Sequence, residues 1–304
     1  MYFAGQWGWA FEDDGAHRYG THAHEYARYG LVGDQTGAVH TELGLCRLAA
    51  GGYVDRHVHS FEQCAYVLGG EPVVELGTQR LQLVPGDYVL FPVATAHAWQ
   101  NPGPKEARWL EMSTPQLLRA GRGREDTYFL PALGPAPAAR PNFHDPTTTN
   151  VGHWLGAPPQ DHAVAVPGPV RGRAPAGMDT ALLAYSGISI KMLVDRNLGA
   201  ELLTLFMVDY EPGGAAQVHD HPFEEAYLFM EGEIEAEVEG EKTKFRAGDF
   251  LFCGVGALHG FFNTAAGRAR WLETQAPQPP RRHSYRWPAY WEQLGARLKQ
   301  DGKG

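Results

Sequence analysis

The 304-residue sequence predicts an all-β fold made twice: two tandem antiparallel barrels or sandwiches related by internal duplication. Three observations carry this expectation. The stretch "GGYVDRHVHSFEQCAYVLGG" at 51–70 recurs as "GGAAQVHDHPFEEAYLFMEG" at 213–232. One offset of 162 links His57 to His219, Gln63 to Glu225, Gly86 to Gly248, His97 to His259, Asn101 to Asn263, and "ARWLE" at 107 to "ARWLE" at 269. Within each repeat, short β-rich runs stand between Gly, Pro or Asp, and no helical periodicity separates them.

Taken along the chain, residues 1–126 form a first barrel domain. Its early "THAHEY" places His22 and His24 without a following acid or a second-loop partner, so both read as structural. Residues 127–186 form a linker: ten of the 22 prolines lie between Pro131 and Pro175, a density at which regular structure is not expected. Residues 187–304 form the second barrel domain. Its expected strands are 202–210, 225–230, 232–240, 249–254 and 270–275, and "EIEAEVE" alternates strictly, giving one polar and one apolar face. A short C-terminal helix closes the chain, with Pro288 at its first turn and Trp291, Leu294 and Leu298 along one face.

Composition narrows the function classes. A formal charge of -9 disfavours nucleic acid and anionic membranes as partners. Cys46, Cys64 and Cys253 form no CxxC pair and read as buried thiols in a reducing compartment. The first residues lack a secretory pattern, and no apolar run is long enough to span a bilayer, so a cytoplasmic location is expected.

The segment at 213–232 concentrates metal-ligating residues. Side chains two apart on a strand share a face, so His219 and His221 aim at one spot while Asp220 points away. Pro222 and Phe223 turn the chain, and the next strand returns Glu224 or Glu225; parity favours Glu225. The glycine-rich "GVGALHGFFN" brings a further ligand in His259. Three imidazoles and one carboxylate suit one divalent transition metal, among Fe, Mn, Ni and Zn, and leave positions open for chemistry. Gln217, Tyr227, Phe229, Phe261 and Cys253 are expected on the inner faces of the same strands, a mostly apolar substrate pocket.

The full spacing is Gly213, five residues, His219-x-His221, three residues, Glu225, six residues, Gly232. After fifteen more come Gly248, five residues, Gly254-x-Gly256, two residues, His259, three residues, Asn263. These patterns resemble the two signature motifs of the cupin superfamily, and the duplicated arrangement resembles a bicupin over residues 25–126 and 187–288. The resemblance implies two double-stranded β-helix, jelly-roll-like barrels and a metal held by His219, His221, Glu225 and His259. Gly254 stands where the family pattern has proline.

The first repeat keeps Gly51, His57, His59, Gly70, Gly86, Pro92, His97 and Asn101, but carries Gln63 for the glutamate and Ala94 for a glycine. Glutamine offers a neutral carbonyl oxygen. His57, His59, Gln63 and His97 are therefore either a second, weaker metal site or a relic. Glu62 lies one step out of phase.

The ligand set resembles that of quercetin dioxygenase and oxalate decarboxylase, whereas the chain layout resembles ureidoglycine aminohydrolase, from which the histidines at 219 and 259 depart. The leading expectation is a metal-dependent oxidoreductase of dioxygenase type. Its small enol, aromatic or organic-acid substrate would chelate the second-repeat metal, with Glu225 as ligand and proton acceptor. Alternatives are a Mn- or Zn-dependent hydrolase, isomerase or decarboxylase of a small acid, and a non-catalytic small-molecule-binding cupin. Duplicated barrels bury apolar faces between chains as well, so a homodimer or higher homo-oligomer is expected.

Overall fold

The computed structural model describes residues 1–6, 19–116, 126–145, 148–156, 185–279 and 286. Its strands form two sheets, each curled into a barrel. The first barrel is built from β2 (Ala23–Val32), β3 (Glu42–His59), β4 (Glu62–Gly69), β5 (Val73–Leu76), β6 (Gln79–Gln82), β7 (Asp87–Phe91), β8 (His97–Gln100) and β9 (Ala107–Thr114). Two strands from the connection, β10 (Thr127–Phe129) and β11 (Val151–His153), join it. The second contains β12 (Tyr185–Val194), β13 (Thr204–His219), β14 (Glu224–Glu231), β15 (Glu233–Val238), β16 (Glu241–Arg246), β17 (Asp249–Cys253), β18 (His259–Phe262) and β19 (Ala269–Ala276). The sheet orders match strand for strand: β7-β4-β9-β3-β8-β5-β6 against β17-β14-β19-β13-β18-β15-β16. This is the expected duplication. The proposed C-terminal helix lies outside the described residues.

Two features differ from the expected division. Residues 2–6 form β1 and pair antiparallel with β17 of the second barrel, with Ala4 opposite Leu251. The connection is not structureless, because β11 pairs with β7 at the equivalent edge, Val151 opposite Val89. Both connection strands fall in stretches free of proline, so every N–H is available to the ladder. Each barrel's open edge is thus covered by the segment that precedes the other repeat.

Side chains alternate between two environments. One face of each sheet fills its barrel: Trp99 stacks on Trp109 at 4.4 Å in the first, and Trp271 packs against Tyr210, Phe229 and Phe261 in the second. The other face packs barrel on barrel. Leu43, Leu45, Leu90 and Leu110 meet their repeat equivalents Leu205, Met207, Phe252 and Leu272 in one core. The three cysteines are buried and unbridged. Among the described residues no helix is long and apolar enough to cross a membrane.

Two buried carboxylates fasten this interface with the same geometry in both directions. Glu62 accepts the backbone N–H groups of Glu201, Leu202 and Leu203 at 2.9, 3.0 and 3.0 Å. Glu224, its repeat equivalent, accepts those of Val39, His40 and Thr41 at 2.7, 3.0 and 2.9 Å. The out-of-phase glutamate of each pair therefore serves the neighbouring barrel.

The repeat departures have local reasons. Gly254 donates its N–H to the Met1 carbonyl at 2.9 Å, a bond proline cannot make. Ala94 keeps the left-handed backbone of its glycine counterpart, with φ 62° against 73° at Gly256. A Cβ in that region costs free energy. Ala94→Gly is expected to stabilise the protein by about 1 kcal/mol; a thermal midpoint unchanged or lowered would contradict the strain.

Candidate metal centre

The turn between β13 and β14 and the start of β18 place three imidazoles in the mouth of the second barrel. Each ring is oriented by a backbone carbonyl two residues away. Nδ1 of His219 donates to Gln217 at 2.7 Å, that of His221 to Phe223 at 2.9 Å, and that of His259 to Ala257 at 2.9 Å. A carbonyl only accepts, so Nδ1 carries the proton and each Nε2 is left as a lone-pair donor facing inward. Ligand atoms of these three histidines lie within 4.8 Å of one another, and all three are buried.

Glu225, the carboxylate that parity singles out, stands beside two of these rings. Its Oε2 lies 2.9 Å from Nε2 of His221 and 3.0 Å from Nε2 of His259. Nε2 of His259 makes no properly directed hydrogen bond despite that approach. A carboxylate oxygen and inward-facing imidazole nitrogens converging on one point fit a shared divalent cation. Burial disfavours the Glu225 charge, but His221 and His259 outweigh it and hold the carboxyl well below the ordinary range. Burial, then His259, pushes His219 down to about 3, which keeps the ring neutral and ligating.

Other groups hold Glu225 in place. The Tyr227 hydroxyl donates to Oε2, and the Gln275 amide donates to Oε1 at 2.7 Å. Burial, then the Glu225 charge, raises the Tyr227 phenol well above its usual range, so it remains a donor. Glu273 accepts from Trp271 Nε1 at 2.9 Å; burial, then the Glu225 charge, raises its carboxyl well above the usual range. Asp220 points away from the site as expected, where Arg286 grips it through its guanidinium and through two backbone bonds of 3.0 and 2.9 Å.

Of the expected pocket residues, the structure places Tyr227 and Cys253 against Glu225, the latter its cross-strand partner. Phe261 packs on Tyr227 at 5.0 Å and lies 6.1 Å from His259. Phe229 sits a layer deeper, stacked on Phe245 at 4.9 Å, and Gln217 is half-buried and reaches the site through its carbonyl. Gln275, Thr204, Glu273 and Arg286 were not anticipated. The repeats themselves held a signal: "RWLETQ" against "RWLEMS" differs at its last two positions, the second of which contacts Glu225.

The first barrel keeps the same ring orientation. His57, His59 and His97 donate through Nδ1 to the carbonyls of Asp55, Phe61 and Thr95 at 2.7, 2.6 and 2.9 Å. Gln63 donates its amide to Ser113 at 3.3 Å, and its Oε1 is buried without a partner. Beneath lies Arg28, fully buried, 3.1 Å from Glu42 and 3.3 Å from Glu111. The three imidazole rings stand with centroids 4.2, 4.8 and 6.1 Å apart, against 4.5, 5.0 and 5.9 Å in the second barrel, so the two triads differ chiefly in the fourth residue. His22 bonds Asp55 and stacks on Phe129, and neither it nor His24 joins the triad.

Comparison with known proteins agrees with this geometry. The family described as Cupin domain matches residues 44–113 and 206–274, one match per barrel. A tetracenomycin polyketide synthase protein, TcmJ, from Streptomyces glaucescens is 29% identical over 96 residues, 31% of this chain and 64% of its own length, less than two thirds of that relative. Among solved structures, a glyoxylate-induced protein from Pseudomonas aeruginosa superposes with a TM-score of 0.57 at 15% identity, covering 86% of this chain and 84% of its own. A salicylate 1,2-dioxygenase variant from Pseudoaminobacter salicylatoxidans gives 0.59 at 14% identity, covering 82% and 75%. At such identities the likeness speaks for the fold. Two matched barrels, the conserved strand order and a converging histidine set make this chain a bicupin of the cupin superfamily.

Proposed function

We propose that the protein is a metal-dependent enzyme of dioxygenase type, acting on a small enol, aromatic or organic-acid substrate at the second barrel. The convergence of His219, His221, His259 and Glu225 carries this reading. The fold likeness to salicylate 1,2-dioxygenase supports the reaction class. Bound there, Fe, Mn, Ni or Zn would supply Lewis acidity and, for the first three, redox chemistry at positions the four ligands leave open. The chain's own residues do the rest. Neutral imidazoles and one carboxylate hold the charge, Tyr227 donates its hydroxyl to Glu225 Oε2, and the carboxylate would accept a substrate proton. The aromatic packing of Tyr227 and Phe261 keeps water from the inner side. Under the same reading the first barrel, with its neutral fourth position, is the weaker site of the two. Metal analysis together with oxygen consumption tests the proposal. Iron or nickel near one equivalent per chain, with uptake on aromatic hydroxy acids or enols, is expected. Manganese or zinc with no uptake across that panel would move the protein to the hydrolase, isomerase or decarboxylase class.

A further inference from the structure

Thr204, Gln275 and Glu225 stand in one cross-strand row over three adjacent strands, β13, β19 and β14. The Gln275 amide lies between the other two, and the ionised carboxylate, which only accepts, takes its NH₂ end. Thr204 supports that orientation from behind: its hydroxyl donates to Gln275 Oε1 at 3.1 Å, while the NH₂ group faces Glu225 Oε1 at 2.7 Å. Oε1 is thereby occupied, and Oε2 turns to the nitrogens of His221 and His259. Thr204 is itself fixed from the first barrel. The preceding N–H, that of Leu203, is one of the three held by Glu62.

The equivalent row in the first barrel, Glu42, Ser113 and Gln63, has the same register and a different chemistry. Its carboxylate sits at the far end, committed to Arg28, and the short Ser113 takes the Gln63 amide. Each row carries one glutamate and one glutamine, but only the second row puts the carboxylate at the histidines and an oriented amide behind it.

We propose that Thr204 and Gln275 are positioning residues that orient the carboxylate of Glu225 toward the metal, and that this row distinguishes the second centre from the first. The inference rests on the metal reading of the second barrel. Outer-shell partners of metal ligands change affinity by about 10- to 100-fold. Mn²⁺ binding to the metal-stripped full-length chain, followed by the loss of the free-ion electron paramagnetic resonance signal, tests it. Thr204→Val keeps the shape without the hydroxyl and is expected to weaken Mn²⁺ binding about tenfold or more, with Thr204→Ser returning it to within about twofold of the unmodified chain. Gln275→Leu, which keeps the volume without the amide, is expected to weaken it at least as far and decides the matter should Thr204→Val not fold. A purely structural role would lower the melting temperature and leave the affinity alone. Affinities within about twofold of the unmodified chain in Thr204→Val or Gln275→Leu, while His219→Ala has lost its Mn²⁺, would overturn the positioning role and leave the centre standing. No binding by the unmodified chain would overturn both.

Discussion

His259→Ala is expected to leave the second barrel without metal, with affinity falling by more than about 100-fold, the upper end of what losing even an outer-shell partner costs. The lost imidazole is one of three oriented donors, and its removal leaves Glu225 beside a gap that water fills. Elemental analysis of purified protein checks this, and a full complement of metal in both His259→Ala and His219→Ala would refute the assignment. A pH consequence accompanies it. In the metal-free chain His219 titrates near 3 instead of its ordinary 6.5. Between those values the unfolded chain binds a proton that the folded chain refuses, so stability falls as pH drops through that window and is insensitive to this group above it. Metal that binds the folded chain alone adds stability that grows with the logarithm of its concentration above Kd, so the holoprotein should melt higher than the metal-free form near neutrality.

Glu62→Ala is expected to destabilise the fold by about 3–9 kcal/mol, because it strands three backbone N–H groups whose desolvation each costs about 1–3 kcal/mol. Glu224→Ala should cost as much, since its three bonds differ from those of Glu62 by no more than 0.2 Å taken pairwise in sequence order. Denaturant titrations measure both. A loss below about 1 kcal/mol in either variant would mean that water replaces the carboxylate at the barrel interface.

Much of this molecule is legible in one dimension because the duplication reports on itself. Histidines at matching places in two repeats mark a strand end and its face, and the period of two fixes where Asp220 and Glu225 point. What stayed hidden depends on partners remote in sequence. Glu224 and Glu62 look like spare ligands until the loops at 39–41 and 201–203 are seen beside them. The strand Glu241–Arg246 has one buried residue, Phe245, and shows no apolar alternation. It is an edge whose Lys244 and Arg246 pair with Glu233 at 2.8 Å. Thr204 and Gln275 are 71 positions apart, and only strand register makes them neighbours.

The covering of each barrel's edge by the segment ahead of the other repeat sets a timetable for synthesis. On a ribosome the first barrel can close once residues 151–153 emerge, only about sixty positions after β7. Residues 2–6 are made long before the strand that receives them, which ends at Cys253. At about 5–20 residues per second they wait on the order of ten seconds or more without a ladder. Throughout that interval an unpaired β-forming segment is open to the wrong neighbour, including the same segment on an adjacent nascent chain. Its "YFAGQ" mixes two aromatics with a glycine and a polar end, a composition of modest pairing strength that suits a strand required to arrive late.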